Sequence, residues 1–373
     1  MADKSIGTES FATEVKKKVT KKLRWAFIGT GGISGTHIAA LRHIPEVEIV
    51  AGCDIKPDRL EWFKQQPGCQ NARVYTDYNE MLKAEKKNLD AVDVCTPNGV
   101  HCPAVLAALK AGFHAYTEKP MAMNPAECQQ MCDAAKKARK LLGVGFQYRH
   151  HPSTEMFMRA CNEGLIGDIM YVKVHAMRRR GVPNWGVFGQ KKLQGGGPMI
   201  DIGVHMIESA HYAMGEPKPV AASGNTWTFL GDKKSKVVSP WPNWDYKTYT
   251  VEDLAVGQVR FENGALMQIE SSFCSHIDKD LLSWEIMGTK GGFSWSDHEL
   301  YTDLAGTMVN VTPGYLPEAN FETLFTAKLQ NFVDGILNGT PLRAPGEEGM
   351  VVQKIIDGIY RSAEKHGAEV KIC

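Results

Sequence analysis

Apolar and polar positions follow two different rules in the two halves of this chain. From Trp25 to about Phe146, short continuous apolar runs alternate with segments whose apolar residues recur at helical spacing. The runs at residues 25–28, 47–53 (VEIVAGC), 91–95 (AVDVC), 114–117 and 142–147 read as strands. Between them, helices are predicted from near Ile33 and over 58–66, 101–111 and 125–141. Strands apolar on both faces, joined by helices, predict a doubly wound parallel sheet covered on both sides.

After a helix around 153–163 the pattern changes to strict alternation, which predicts half-buried strands over 169–178, 221–230, 254–261, 266–273 and 282–287. Glu262-Asn263-Gly264 joins two of them as a hairpin, Asn-Gly being a strong hairpin signal. One helix, 199–214, interrupts the strands after a Gly- and Trp-rich loop (181–197), and helices over 321–337 and 346–365 close the chain. The fold class is therefore α/β: an N-terminal Rossmann-type parallel sheet, then an α+β domain with an open, mainly antiparallel sheet. The divisions fall at 1–22 (a polar, Lys-rich extension), 23–148 and 149–373. The free face of the open sheet predicts a homo-oligomer, a dimer or a tetramer.

At 373 residues the chain exceeds one typical core, in keeping with two domains. With 43% hydrophobic and 23% charged residues it has ordinary globular composition, and a net charge of +1 gives no electrostatic reason to expect nucleic acid or an anionic membrane. No apolar run approaches the roughly 20 residues that span a bilayer, and the N-terminus lacks the apolar core of a secretory signal. Nine cysteines are scattered along the chain, and the one close pair, Cys128 and Cys132, fits neither a redox CxxC nor a zinc pattern. Reduced thiols in a cytoplasmic protein, with no bound metal, is the expectation.

The chemistry starts at Gly29-Thr30-Gly31-Gly32, where the first strand breaks into a helix. Gly29 permits a sharp turn, Gly31 and Gly32 leave room for a pyrophosphate, and the helix start at Ile33 offers unpaired N–H groups and a positive dipole end. An ordinary tight βα turn is the competing reading, because Ser34 stands where a third glycine is expected. Asp54 ends the second strand, where a carboxylate accepts hydrogen bonds from an adenosine ribose and repels a 2′-phosphate, or simply caps the next turn. This favours NAD, with NADP kept possible by Lys56. Thr96-Pro97-Asn98 with His101, and Thr117-Glu118-Lys119-Pro120, follow two further strands, in the crevice where such sheets hold ligands; a helix cap and a surface ion pair are their plain alternatives. Asp201 and His205 stand four apart on the predicted helix after Gly195-Gly196-Gly197-Pro198. A histidine titrating near neutrality suits the proton of a secondary alcohol; a zinc pair competes, but lacks a third ligand at usual spacing.

The ordered set GTGGIS, CDIKPD, VCTPNGVH, TEKP, GFQYRH and GGGPMIDIGVH resembles the glucose–fructose oxidoreductase/inositol dehydrogenase (Gfo/Idh/MocA) family from Leu23 to the C-terminus. The resemblance implies reversible hydride transfer between NAD(P) and a secondary hydroxyl of a sugar, glycoside or cyclitol. By position, Lys119, Asp201 and His205 become the catalytic set. The strand-end reading makes Gly29, Gly31, Gly32, Ile33, Asp54, Thr96, Asn98, His101, Glu118 and Lys119 the cofactor set; the resemblance puts Tyr148 and Arg149 at the domain junction, facing the substrate, and Trp185, ahead of the Asp201 helix, is a further substrate contact or a packed Trp. A glycoside 3-dehydrogenase that keeps and recycles its NAD is a variant within the family. A non-catalytic dinucleotide sensor is the alternative from another class, and the intact Lys119/Asp201/His205 set speaks against it. Two stretches depart from the family pattern. Residues 231–249, with Trp241, read as an oligomer arm, a sugar-stacking loop or a packed surface loop; Arg178-Arg179-Arg180 reads as solvated charge or a hold on an anionic or glycosidic substrate.

Overall fold

The computed structural model describes residues 22–372; apart from Lys22, the N-terminal extension lies outside them. Six parallel strands form the first sheet: β1 (Leu23–Ile28), β2 (Val47–Cys53), β3 (Arg73–Tyr75), β4 (Ala91–Val94), β5 (His114–Thr117) and β6 (Leu142–Val144), in the order β3-β2-β1-β4-β5-β6. The order reverses between β1 and β4, and the resulting crevice at the strands' carboxyl ends is where ligands bind in such folds. Helices α1 (Gly32–Leu41), α2 (Pro57–Gln65), α3 (Tyr78–Ala84), α4 (Asn98–Ala111) and α5 (Pro125–Ala138) connect them.

The pattern along the sequence missed β3 and α3. The strand is three residues long and largely exposed, too short for any periodicity, and α3 is set by a local cap in which Asp77 accepts from the Asn79 and Glu80 N–H groups. Helix α4 starts at Asn98 rather than at His101, and α5 stops at Ala138, where Arg139 turns left-handed (φ 53°) and delivers the chain to β6.

The second sheet has nine strands. Helix α6 (Pro152–Asn162) leads into β7 (Ile169–Met177); then come α7 (Lys191–Gln194), α8 (Val204–Ala213), β8 (Pro219–Trp227), β9 (Leu254–Phe261), β10 (Leu266–Ser272), β11 (Leu281–Gly288), β12 (Gly291–Ser294), β13 (Glu299–Leu304) and β14 (Thr307–Val311). Helices α9 (Phe321–Asn338) and α10 (Gly346–Ala363) and the short β15 (Val370–Lys371) complete the chain, and the sheet order is β14-β13-β12-β11-β7-β10-β9-β8-β15. The expected β9–β10 hairpin forms, with Gly264 at φ 87°. The sheet is mixed, because β7 runs parallel to β10 and antiparallel to β11. Strands β12–β14 escaped the sequence reading; β14 has no buried residue and therefore no alternation to read.

Chain order and core membership do not coincide. Helix α9 crosses back to the first sheet, where Phe325, Leu329, Phe332 and Val333 share a buried cluster with Trp25, Phe27 and Tyr116. Phe332 meets the Trp25 ring edge-on at 5.9 Å. The second half of the chain thus supplies a layer of the first half's core, and the two domains cannot drift apart without exposing it.

A buried cation adds a second tie. Arg149, 0% exposed, follows β6 in a short 3₁₀ turn (Gln147–His150). Its Nε donates to Glu208 of α8 at 2.8 Å, and its Nη1 to Glu216 at 3.1 Å, to the Arg343 carbonyl at 2.6 Å and to Glu348 of α10. The Tyr212 ring lies 4.7 Å from the guanidinium. One cation cannot balance three carboxylates. Burial pushes Glu208 up to about 7 and Glu216 up to about 8, so protons supply part of the neutralisation. Removing Arg149 strands these carboxyls: Arg149→Met is expected to cost about 3–5 kcal/mol of stability in urea or thermal unfolding, and a loss below 1 kcal/mol would show that the clasp is dispensable.

Candidate active site

The glycine turn forms the corner at the end of β1. Gly29 sits at φ 88°, and a Cβ on it would lie 2.6 Å from the Cys95 carbonyl oxygen of the neighbouring strand end, so no other residue fits there. Gly31 and Gly32 instead face open space, with nothing within 4 Å of an added Cβ. Ser34 takes the third glycine's place by turning its hydroxyl back onto the Gly31 carbonyl, 2.7 Å, and burying it. The Asp54 carboxylate is aimed at the corner, accepting from the Thr30 N–H at 2.9 Å and the Lys56 N–H at 3.0 Å. Beside it, the Thr96 hydroxyl at the end of β4 is buried with no protein partner. Open space before two glycines, an exposed-edge carboxylate and an orphaned hydroxyl fit a dinucleotide: phosphates at Gly31–Ile33 and a ribose diol at Asp54.

Further along the same edge, Glu118 and Lys119 point opposite ways. Glu118 turns inward, taking hydrogen bonds from His37 Nε2 at 2.9 Å and from Lys328 Nζ at 2.5 Å, while His37 Nδ1 meets Asp93 at 2.7 Å. Both ring nitrogens of His37 face carboxylates and must donate, so the ring is an imidazolium. Burial works against that charge, but Asp93 and Glu118 outweigh it and the His37 pKa is raised. Burial likewise favours a neutral Glu118, yet Lys328 and His37 hold its carboxyl well below the usual range. Two anions and two cations thus alternate in a dry chain that ends beneath the crevice. Cys95 adjoins it, but burial keeps its thiol protonated, and with both His37 nitrogens engaged this group is a poor metal cage.

Lys119 turns outward. Its Nζ donates to the Asp201 carboxylate at 3.0 Å and to the Asp201 carbonyl at 2.7 Å, bridging the first sheet to the second domain. Asp201 does not sit in a regular α-helix. Residues Met199–Gly203 make a wide π-type turn before α8, and its start is held by Glu252, which accepts from the Gly197 and Met199 N–H groups (2.9 and 3.3 Å) and from the Tyr360 hydroxyl (2.7 Å). Gly196 and Gly197 are required by this packing rather than by a cofactor: added Cβ atoms would lie 2.2 Å from the Tyr360 hydroxyl and 2.1 Å from the Glu252 carbonyl.

One cavity of about 490 Å³ collects the outward groups Ile33, Lys119, Tyr148, Trp185, Asp201 and His205, and the inward-turned Glu118 also borders it. Tyr148 meets the His205 ring edge-on at 5.5 Å, and His205 Nδ1 is buried without a partner. Burial and the Lys119 ammonium push the His205 pKa well below 6.5, so the ring is neutral and able to accept a proton.

Three expected site residues do not line this cavity. Arg149 is the buried clasp described above, with its charge already committed. His101 is 1% exposed and spans the Pro120 and Thr96 carbonyls at 2.8 and 2.9 Å, bracing the crevice floor without reaching into it. Asn98 is also buried, its amide donating to the Gln194 carbonyl at 2.9 Å. Conversely, His37, Asp93, Lys328 and Glu252 were missed. Lys328 and His37 left a trace in the sequence, each being a lone ionisable residue on an otherwise apolar helix face, but polarity alone cannot say what it meets.

Comparison with known proteins agrees with the chemistry of the corner. Residues 23–146 match the model of an oxidoreductase family with an NAD-binding Rossmann fold, and residues 159–372 match that family's C-terminal α/β domain. The D-glucoside 3-dehydrogenase of Escherichia coli K12 is 33% identical over 344 residues, covering 92% of this chain and 95% of that protein. The myo-inositol 2-dehydrogenase of Thermotoga maritima is 27% identical over 332 residues, 88% of this chain and 92% of its own. Among solved structures, levoglucosan dehydrogenase in complex with NADH and levoglucosan superposes with a TM-score of 0.81 at 23% identity, over 94% of this chain and all of that one, a likeness of fold. With both domain models matched in order along its described length, the chain belongs to the Gfo/Idh/MocA family of NAD-binding oxidoreductases.

Proposed function

We propose that this oxidoreductase oxidises a secondary hydroxyl of a sugar, glycoside or cyclitol with NAD, and that Lys119, Asp201 and His205 carry the proton chemistry. The convergence of these three side chains in one cavity, beside the glycine corner, is the observation that carries the reading. Bound NAD supplies the hydride acceptor. Asp54, at the end of β2 and bonded to the Thr30 N–H of the glycine corner, supports NAD over NADP, since a carboxylate at that strand end accepts from a ribose diol and repels a 2′-phosphate.

An isolated alcohol holds its proton far above pH 7, so its oxidation needs a base at the oxygen and a cation to stabilise the developing alkoxide. His205 is the base: neutral, in a sheltered position, with one ring nitrogen unspent. Lys119 is the cation. Its Asp201 partner fixes the ammonium and offers a carboxylate oxygen to a neighbouring substrate hydroxyl. Tyr148 and Trp185 flank the ring. The likeness to a D-glucoside 3-dehydrogenase favours a glycoside over a free polyol. We place the enzyme in the cytoplasm, in keeping with the free thiols of the described cysteines, and as a homo-oligomer through the free face of the second sheet, where Met287 and Met308 are exposed (37% and 89%). The domain boundary is placed near residue 148.

His205→Asn and Lys119→Met are each expected to lower kcat by about 10²–10⁴ in a spectrophotometric NADH assay, with NAD affinity retained in calorimetry; unaltered turnover in both contradicts their roles. A base with a depressed pKa stays active as acid is added. The acid limb of kcat/KM is therefore expected below pH 6.5, and a limb centred at or above 6.5 would contradict a sheltered, neutral His205.

A further inference from the structure

The lining of the cavity is of two kinds. Beside Lys119, Asp201 and His205 it carries an apolar wall, Trp185, Phe188, Leu281 and Leu282, with Arg178 and Asp280 among the charged members. Trp185 is 50% exposed, Leu281 37% and Leu282 42%, large apolar side chains left open in the cavity that holds the reactive groups. These four side chains suit an apolar ring better than a sugar's hydroxyls.

The wall is rigidly supported. Trp185 stands edge-on to Phe188 (6.1 Å) and to Trp241 (4.8 Å), and the Arg178 guanidinium lies 4.8 Å from the Trp241 ring. Arg178, half-buried, donates to the Gly181 carbonyl at 3.1 Å, and no carboxylate lies within ion-pair distance of it among the described residues. It braces the aromatic stack and also lines the cavity, where its charge feels the Asp201 and Asp280 carboxylates. Trp241 belongs to the 231–249 segment, whose base is pinned where Trp244 Nε1 donates to the Gly231 carbonyl (2.7 Å) and the Tyr249 hydroxyl to the Glu252 carbonyl (2.9 Å). The Glu252 carboxylate in turn anchors the turn that bears Asp201. The aromatic wall and the catalytic turn therefore share one support and hold a fixed separation.

We propose that this wall is an aglycone site, and that the substrate is a glycoside whose aglycone is apolar and of aryl size. The inference rests on the dehydrogenase reading above and adds the part of the substrate that lies beyond the oxidised ring. The occupant follows from continuity: the wall and the reactive groups line one cavity, so whatever covers Trp185 is attached to the ring held at Asp201.

The test compares methyl and phenyl glucosides of the same anomer with the full-length enzyme and NAD. The wild type is expected to favour the phenyl glucoside about tenfold in kcat/KM, mainly through KM, the low end for burying one ring. Trp185→Ala should bring the phenyl-to-methyl ratio close to 1, and Trp185→Phe should keep most of it. A wild-type ratio near 1, or a ratio unmoved by Trp185→Ala, overturns the aglycone site while leaving the dehydrogenase reading intact. Trp185→Ala shifting the enzyme to a smaller species in size-exclusion chromatography would assign the wall to a second copy of the chain, and overturns it too. Oxidation of neither glucoside, nor of any free sugar or polyol, would remove the dehydrogenase reading and this inference together.

Discussion

The site depends on a single reversal of direction between two adjacent residues. Successive side chains in an extended segment point to opposite sides, and at the end of β5 that rule sends Glu118 into the core and Lys119 into the cleft. Glu118 is fixed by two buried cations, Lys328 from the returning helix α9 and His37 from α1. Its neighbour therefore leaves the sheet at a set position and reaches Asp201 across the domain junction. The energetics explain why the inner half must be complete. A buried charge without its partner costs several kcal/mol, so each member of the Asp93–His37–Glu118–Lys328 chain holds the others in place.

Charge is treated differently on the two sides of that reversal. Inside, opposite charges alternate at hydrogen-bond distance and none is left to react. In the cleft one ion pair remains within reach of solvent, and beside it stands a histidine kept neutral by burial and by the ammonium next to it. A proton acceptor and an electrophilic cation in one cavity are useful only if the cation does not protonate the acceptor first, and separate side chains at fixed spacing achieve this.

Much of this was legible in the chain. Continuous apolar runs before Gly29, Asp54, Thr96 and Glu118 placed the parallel sheet, and because ligands gather at strand ends, the residues after each run were the right ones to inspect. Alternation disclosed the second sheet except at β12–β15, where short strands or exposure remove the signal, and it left open the parallel pairing of β7 with β10, which no local pattern encodes. Arg149 illustrates the limit: its neighbourhood with Tyr148 suggested the cleft, yet its three carboxylate partners lie 59, 67 and 199 residues downstream. The π-type turn at Asp201 and its support by Glu252 depend likewise on long-range packing.

The central claim is that one substrate hydroxyl is held between Lys119 and His205 while Asp201 binds its neighbour. A crystal structure of the enzyme with NADH and a bound glycoside tests it most directly. The account predicts an oxygen on the carbon facing the nicotinamide, about 3 Å from both Lys119 Nζ and a ring nitrogen of His205. A glycoside bound with His205 on no hydroxyl, and Lys119 still closed onto Asp201 alone, would contradict it.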